Sequence, residues 1–155
     1  MKEALFARLD EDLALAEELL AMAPAGADQW HPPYSGFSLS ELAAHLAESA
    51  GGIGGCFAKL HPALSFQKAE DLGHTVAESL AVLAAYRGQC QAAYVHTTDV
   101  DLARVIPTYF VPSGEPFVAI LLTNWKHLNH HVHQLFTYLK LLGVPVSTRH
   151  LYRFR

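Results

Sequence analysis

Four long amphipathic segments predict an all-α protein, folded as a four-helix bundle. Three observations carry that expectation. Apolar residues recur at spacings of three and four in four separate stretches, the pattern of one buried helix face. Proline, glycine and capping residues punctuate the ends of those stretches. The composition, 51% hydrophobic and 17% charged over 155 residues, suits one packed core, so residues 1–155 are expected to form a single domain.

The first helix is expected over residues 2–23, with Leu5, Leu9, Leu13, Ala16 and Leu20 on its apolar face. Pro24 and Gly26 end it. Residues 24–37 form a loop, punctuated by Pro32-Pro33 and Gly36 and anchored by Trp30, Tyr34 and Phe37. Ser38-Leu39-Ser40-Glu41 is a capping box: the Ser38 hydroxyl takes the Glu41 amide and the Glu41 carboxylate reaches back. It opens a second helix striped by Leu39, Leu42, Leu46 and Ile53. Gly51, Gly52, Gly54 and Gly55 in its second half signal either a close helix approach or a kink.

After a connector over 61–70, a third helix is expected from about Asp71 to Thr97, with Val76, Leu80, Leu83, Arg87, Cys90 and Tyr94 on one side. Residues 100–115 read as irregular, with Val105-Ile106 and Tyr109-Phe110-Val111 as candidates for extended backbone. Glu115-Pro116 is a helix start, and the fourth helix runs to about Leu142, where Gly143 and Pro145 stop it. A basic and aromatic tail follows, Arg149 to Arg155.

Composition narrows the function. Eleven Lys and Arg against fifteen Asp and Glu give a net charge of -4, and no basic block occurs, so no nucleic-acid partner is expected. No apolar run approaches the ~20 residues of a membrane span, so no membrane partner is expected either. Met1-Lys2-Glu3 leads straight into an amphipathic pattern, unlike a signal peptide, which points to the cytoplasm. Cys56 and Cys90 are too few for a disulfide framework or a cysteine-rich zinc site, and read as buried or half-buried thiols.

Histidine is the compositional oddity, with ten in the chain. The fourth helix carries His127-Leu128-Asn129-His130-His131-Val132-His133. At about 100° per residue, His127 and His131 lie about 40° apart and one turn from each other, so both can hold one metal ion. His133 falls about 120° away and off that face. Ile120, Asn124, His127, His131, Gln134 and Tyr138 form one stripe, polar in its middle, which either faces solvent or lines a polar site. On the second helix, His45 sits beside the apolar stripe, as a hydrogen-bonded core residue or as the third ligand of a three-histidine site. Zinc, nickel, iron and copper all accept imidazole, and three protein ligands leave a position for water or substrate. The Glu-x-x-His of di-metal bundles, His-Glu-x-x-His and glycine-rich phosphate loops are all absent from the sequence.

Trp30-x-Pro32, then Ser38-Leu39-Ser40-Glu41-Leu42 leading to His45-Leu46, resembles the second-helix entry of the DinB/YfiT-like superfamily. His127-x-x-His130-His131, followed by Gln134, Leu139 and Leu142-Gly143, resembles its fourth-helix motif, and Thr98-Asp99-x-Asp101-Leu102 its third-helix exit. The resemblance implies a DinB-like bundle of up-down-down-up topology. It also implies a divalent metal (zinc, nickel or iron) held by three histidines, carried over here to His45, His127 and His131. Better-understood members use low-molecular-weight thiols, among them thiol S-transferases and a mycothiol-dependent maleylpyruvate isomerase, and homodimers are common. One departure stands out: Val132-His133 replaces the Arg-Gly that usually follows the paired histidines.

The resulting expectation is a metal-dependent thiol S-transferase or related hydrolase acting on a small molecule. His130, Asn124 and Gln134 are the candidates for orienting the ligands or touching substrate. Trp30, Tyr34 and Phe37 either wall the site or anchor the core. The alternative is a stress-related bundle that binds a metal or small ligand without catalysis.

Overall fold

Ser38 and Thr75 each begin a long helix in the same way. Each side chain accepts the amide of a glutamate three residues on, and that glutamate returns to the capping residue's own amide. The computed structural model describes residues 2–34 and 36–152. Its helices are α1 (Lys2–Ala21), α2 (Leu39–Leu60), α3 (Val76–His96), α4 (Asp99–Leu102), α5 (Phe117–Leu141) and α6 (Thr148–Leu151). Strands β1 (Val105–Ile106) and β2 (Glu115–Pro116) pair antiparallel, Val105 opposite Pro116 and Ile106 opposite Glu115.

The four long helices form the bundle. α1 packs against α3 and α5, and α2 packs against the same two, so α1 and α2 stand on a diagonal. Contacts between helix ends fix the directions. The Val76 amide at the start of α3 donates to Asp28, ahead of α2. His61 after α2 meets Thr97 after α3, so these two helices run parallel. The Lys2 amide donates to Asp99 beyond the end of α3, which turns α1 against α3. The Tyr138 hydroxyl near the end of α5 donates to the Phe37 carbonyl before α2, which turns α5 against α2. The topology is up-down-down-up.

Leu9, Leu13, Leu42, Leu46, Leu128 and Leu135 are fully buried between the helices. Phe57 sits edge-on to Phe6, Tyr94 and Phe117, joining all four long helices in one aromatic cluster. The acidic residues of α1 tie it to its neighbours. Arg87 of α3 grips both oxygens of Asp10, at 2.8 and 2.9 Å, and reaches Glu17 at 3.0 Å. Asp12 accepts from Trp125 and Asn129 of α5. Arg87 thus belongs on the inward side of its helix because its partners wait there. No described helix is long and apolar enough to cross a membrane.

Several boundaries differ from expectation. α3 starts at Val76, not near Asp71, because Gly73 takes φ 92 and Asp71 accepts the Gly73 amide in a turn. α1 ends at Ala21. Glu115-Pro116 is not the first helical turn: these residues pair with β1, and the Phe117 amide donates to the Arg104 carbonyl. Tyr109-Phe110-Val111 is a bend, not a strand, closed by Thr108 and Val111. Tyr34 is 58% exposed and anchors nothing in the core. Arg153 to Arg155 of the tail lie outside the described residues.

The glycine run on α2 resolves as close approach. A Cβ at Gly51 would strike the Tyr86 ring, one at Gly54 the Phe66 ring, and one at Gly52 would crowd Asn124. Gly55 differs, since nothing lies within 4 Å of its would-be Cβ. Gly55→Ala should therefore stabilise the protein by about 0.5–1 kcal/mol, through helix propensity alone. Thermal melting followed by circular dichroism checks this, and Gly54→Ala should shift the midpoint the other way.

Candidate metal centre

His45 lies in the second turn of α2, and its register there is set by the Ser38 capping box. His127 and His131 lie one turn apart on α5, on the face turned to α2. Because α5 runs against α2, the middle of one helix meets the early turns of the other. One donor atom from each of the three histidines falls within 4.8 Å of the other two. The ring centroids stand 5.1 Å apart for His45 and His127, 4.4 Å for His45 and His131, and 4.7 Å for His127 and His131.

Outer partners fix two of the rings. His45 Nδ1 is 3.0 Å from Glu48 Oε2, and His131 Nδ1 is 3.0 Å from Gln134 Oε1. With Nδ1 donating, Nε2 keeps its lone pair for a cation, which is the usual way of orienting a metal-binding imidazole. The bonding continues outward. Gln134 Nε2 donates to the Tyr138 hydroxyl, which donates to the Phe37 carbonyl. The Phe37 ring rests on His45 and His131, and Trp30 packs edge-on to Tyr138. The loop before α2 therefore walls the cluster on one side. His127 is exposed on the other.

Partial desolvation holds the His131 imidazole and the more exposed His127 imidazole below their ordinary range, and electrostatic coupling to His45 and His130 pushes the same way. Both rings thus stay neutral and able to bind a cation at pH values where a free imidazole is protonating. The sign of the stability effect follows. Below about pH 6.5 the unfolded chain takes up protons that the folded histidines refuse, so stability falls as pH drops through that value. It levels off once pH passes below the folded values. Urea midpoints of metal-free protein should decline from about pH 7 to about pH 5.5, and less so when His127 and His131 are both alanine.

Among the residues that the sequence singled out, His45, His127, His131 and Gln134 come together. His130 is exposed and acts on the cluster through its charge. Asn124 points at α2 one turn below His127, donating to the Ile120 carbonyl and toward Cys56 Sγ at 3.5 Å, without touching a histidine. Val132 is fully buried, and His133 faces outward with Nδ1 on the Asn129 carbonyl. The pair that replaces Arg-Gly therefore brings no cation to the site. Glu48 escaped the sequence reading. Its signal was His45-x-x-Glu48, a carboxylate one turn after a histidine. Cys56 and Cys90 are pushed up to about 11 and about 12 by burial, so neither is a ready thiolate.

The DinB superfamily model matches residues 8–135. The chain belongs to the DinB superfamily. A similar solved structure is a DinB-like protein, YjoA, of Bacillus subtilis, at a TM-score of 0.69 and 18% identity. The alignment covers 90% of this chain and 94% of that one, so the DinB fold is shared nearly end to end. No curated protein matches the chain. The three imidazoles suit a divalent ion of the first transition series in this DinB bundle, since such ions take imidazole nitrogen donors.

Proposed function

We propose that this DinB-superfamily protein binds one divalent ion (zinc, nickel or iron) through His45, His127 and His131, and uses it to transfer a low-molecular-weight thiol to a small electrophile. The observation that carries the reading is the cluster itself: three imidazoles with donor atoms within 4.8 Å of one another, two of the rings held by outer partners, with one flank exposed. A bound ion would lower the pKa of a thiol or water at its open position, which supplies a nucleophile near neutral pH. Glu48 and Gln134 keep the rings aimed, and Phe37 shields one side from water. The thiol has to come from solution, because burial keeps Cys56 and Cys90 protonated. A homodimer in the cytoplasm, without nucleic-acid or membrane partners, completes the reading.

A second reading, metal binding without turnover, draws support from the buried Val132 and outward His133 where the family usually carries Arg-Gly. The two separate in one assay. Metal-loaded protein is mixed with a panel of thiols and 1-chloro-2,4-dinitrobenzene, and thiol consumption is followed with and without chelator. Turnover that stops on chelation and returns with metal supports the transferase. Stoichiometric metal with no thiol turnover supports the binding protein.

A further inference from the structure

The α2 face that carries His45 and Glu48 continues through Gly52 and Gly55. The connector between α2 and α3 folds back over that face. Phe66 stacks on Tyr86 with centroids 5.4 Å apart, and the Ala69 amide donates to the Tyr86 hydroxyl at 2.9 Å. Between connector and helix lies a groove of about 540 Å³. That is the size of a small-molecule site, roughly 300–1,000 Å³.

The groove begins at Glu48, the partner of His45, and has Gly52 and Gly55 along its floor. Phe66, Leu72 and Tyr86 supply apolar wall, and Lys68 and Glu70 supply charge. The Lys68 and Glu70 side chains have no hydrogen bond or ion pair among the described residues. Packing explains Gly51, Gly52 and Gly54, but not Gly55. A helical glycine forgoes up to about 1 kcal/mol against alanine. At Gly55 the space so kept open is the groove's own floor.

We propose that this groove binds a small zwitterion with an apolar body, of the amino-acid or short-peptide class, behind the His45 ring of the three-histidine cluster. The apolar body lies on Phe66, Leu72 and Tyr86. Lys68 meets the carboxylate, and Glu70 and Glu48 meet the ammonium group. Occupancy of the groove does not depend on the metal-binding reading above.

The test is titration of isotope-labelled protein, zinc-loaded and metal-free, with L-phenylalanine, followed by amide chemical shifts. Zinc content is measured on the same samples. The expected result is saturable shifts at Gly52, Gly55 and Ala69 in both forms. Binding should weaken about fivefold for 3-phenylpropionate, for phenethylamine and for Lys68→Ala, the scale of one exposed ion pair. Gly55→Leu should abolish it while zinc content and helicity persist. Absence of groove shifts overturns the inference. So does binding undiminished by Gly55→Leu, or equal binding of the singly charged analogues. Groove shifts in a protein that takes up no zinc would support the groove and overturn only the metal-binding reading.

Discussion

His127→Ala should take bound zinc from about one ion per chain to none detectable, while the helical signal and melting of the metal-free protein barely change. His127 is exposed and makes no core contact, so its removal leaves no cavity. It does remove one of three donors, and two imidazoles with water hold a divalent ion far more weakly than three. Glu48→Ala is the informative companion, because Glu48 touches only His45 Nδ1 in the cluster. Loss of such an outer partner typically weakens metal binding about 10- to 100-fold. Mass-spectrometric metal analysis of untagged protein, with competitive chelator titration, reads both. Full zinc retained by His127→Ala would remove the three-histidine site from consideration.

Arg87→Ala should destabilise the fold by about 2–3 kcal/mol. A fully buried ion pair broken on one side costs about 3–5 kcal/mol, and this one is discounted for partial exposure. Arg87 is 24% exposed, Asp10 28% and Glu17 21%. Removing the guanidinium leaves two carboxylates of α1, Asp10 and Glu17, turned to the α1–α3 seam without the cation they share. For a chain of this length that lowers the melting midpoint by roughly 5–10 °C. Arg87→Lys should recover only part of the loss, since an ammonium cannot grip both oxygens of Asp10. Urea unfolding of the three proteins measures the difference, and an unchanged midpoint in Arg87→Ala would show the clasp to be energetically idle.

The sequence announces the long helices because two physical signals agree there. Ser38-x-x-Glu41 and the leucine spacing that follows both say helix, and both are local. The start of α3 misleads because periodicity runs on through residues 71–75 while Thr75-x-x-Glu78 is the cap that forms. Residues Glu115-Pro116 mislead for the opposite reason. A proline suits a first helical turn, but pairing with Val105 and Ile106, distant in sequence, holds these two extended. At the site, His127 and His131 are legible from spacing on one helix. That His45 joins them depends on α5 running against α2, which no local signal encodes. The groove over Gly55 was hidden for the same reason, as it needs the connector to fold back onto α2.

The diagonal placement of α1 and α2 sets an order on the growing chain. Two helices made one after the other share little here beyond Phe6 on Phe57, so most of the apolar face of α1 waits for α3. α2 also finds its first large partner in α3, the helix on which α1 packs most extensively. α5 comes last among the long helices and carries two of the three histidines. A chain that has not reached α5 therefore offers His45 alone of the three, and a cation meets all three donors only once α5 is made and packed on α2.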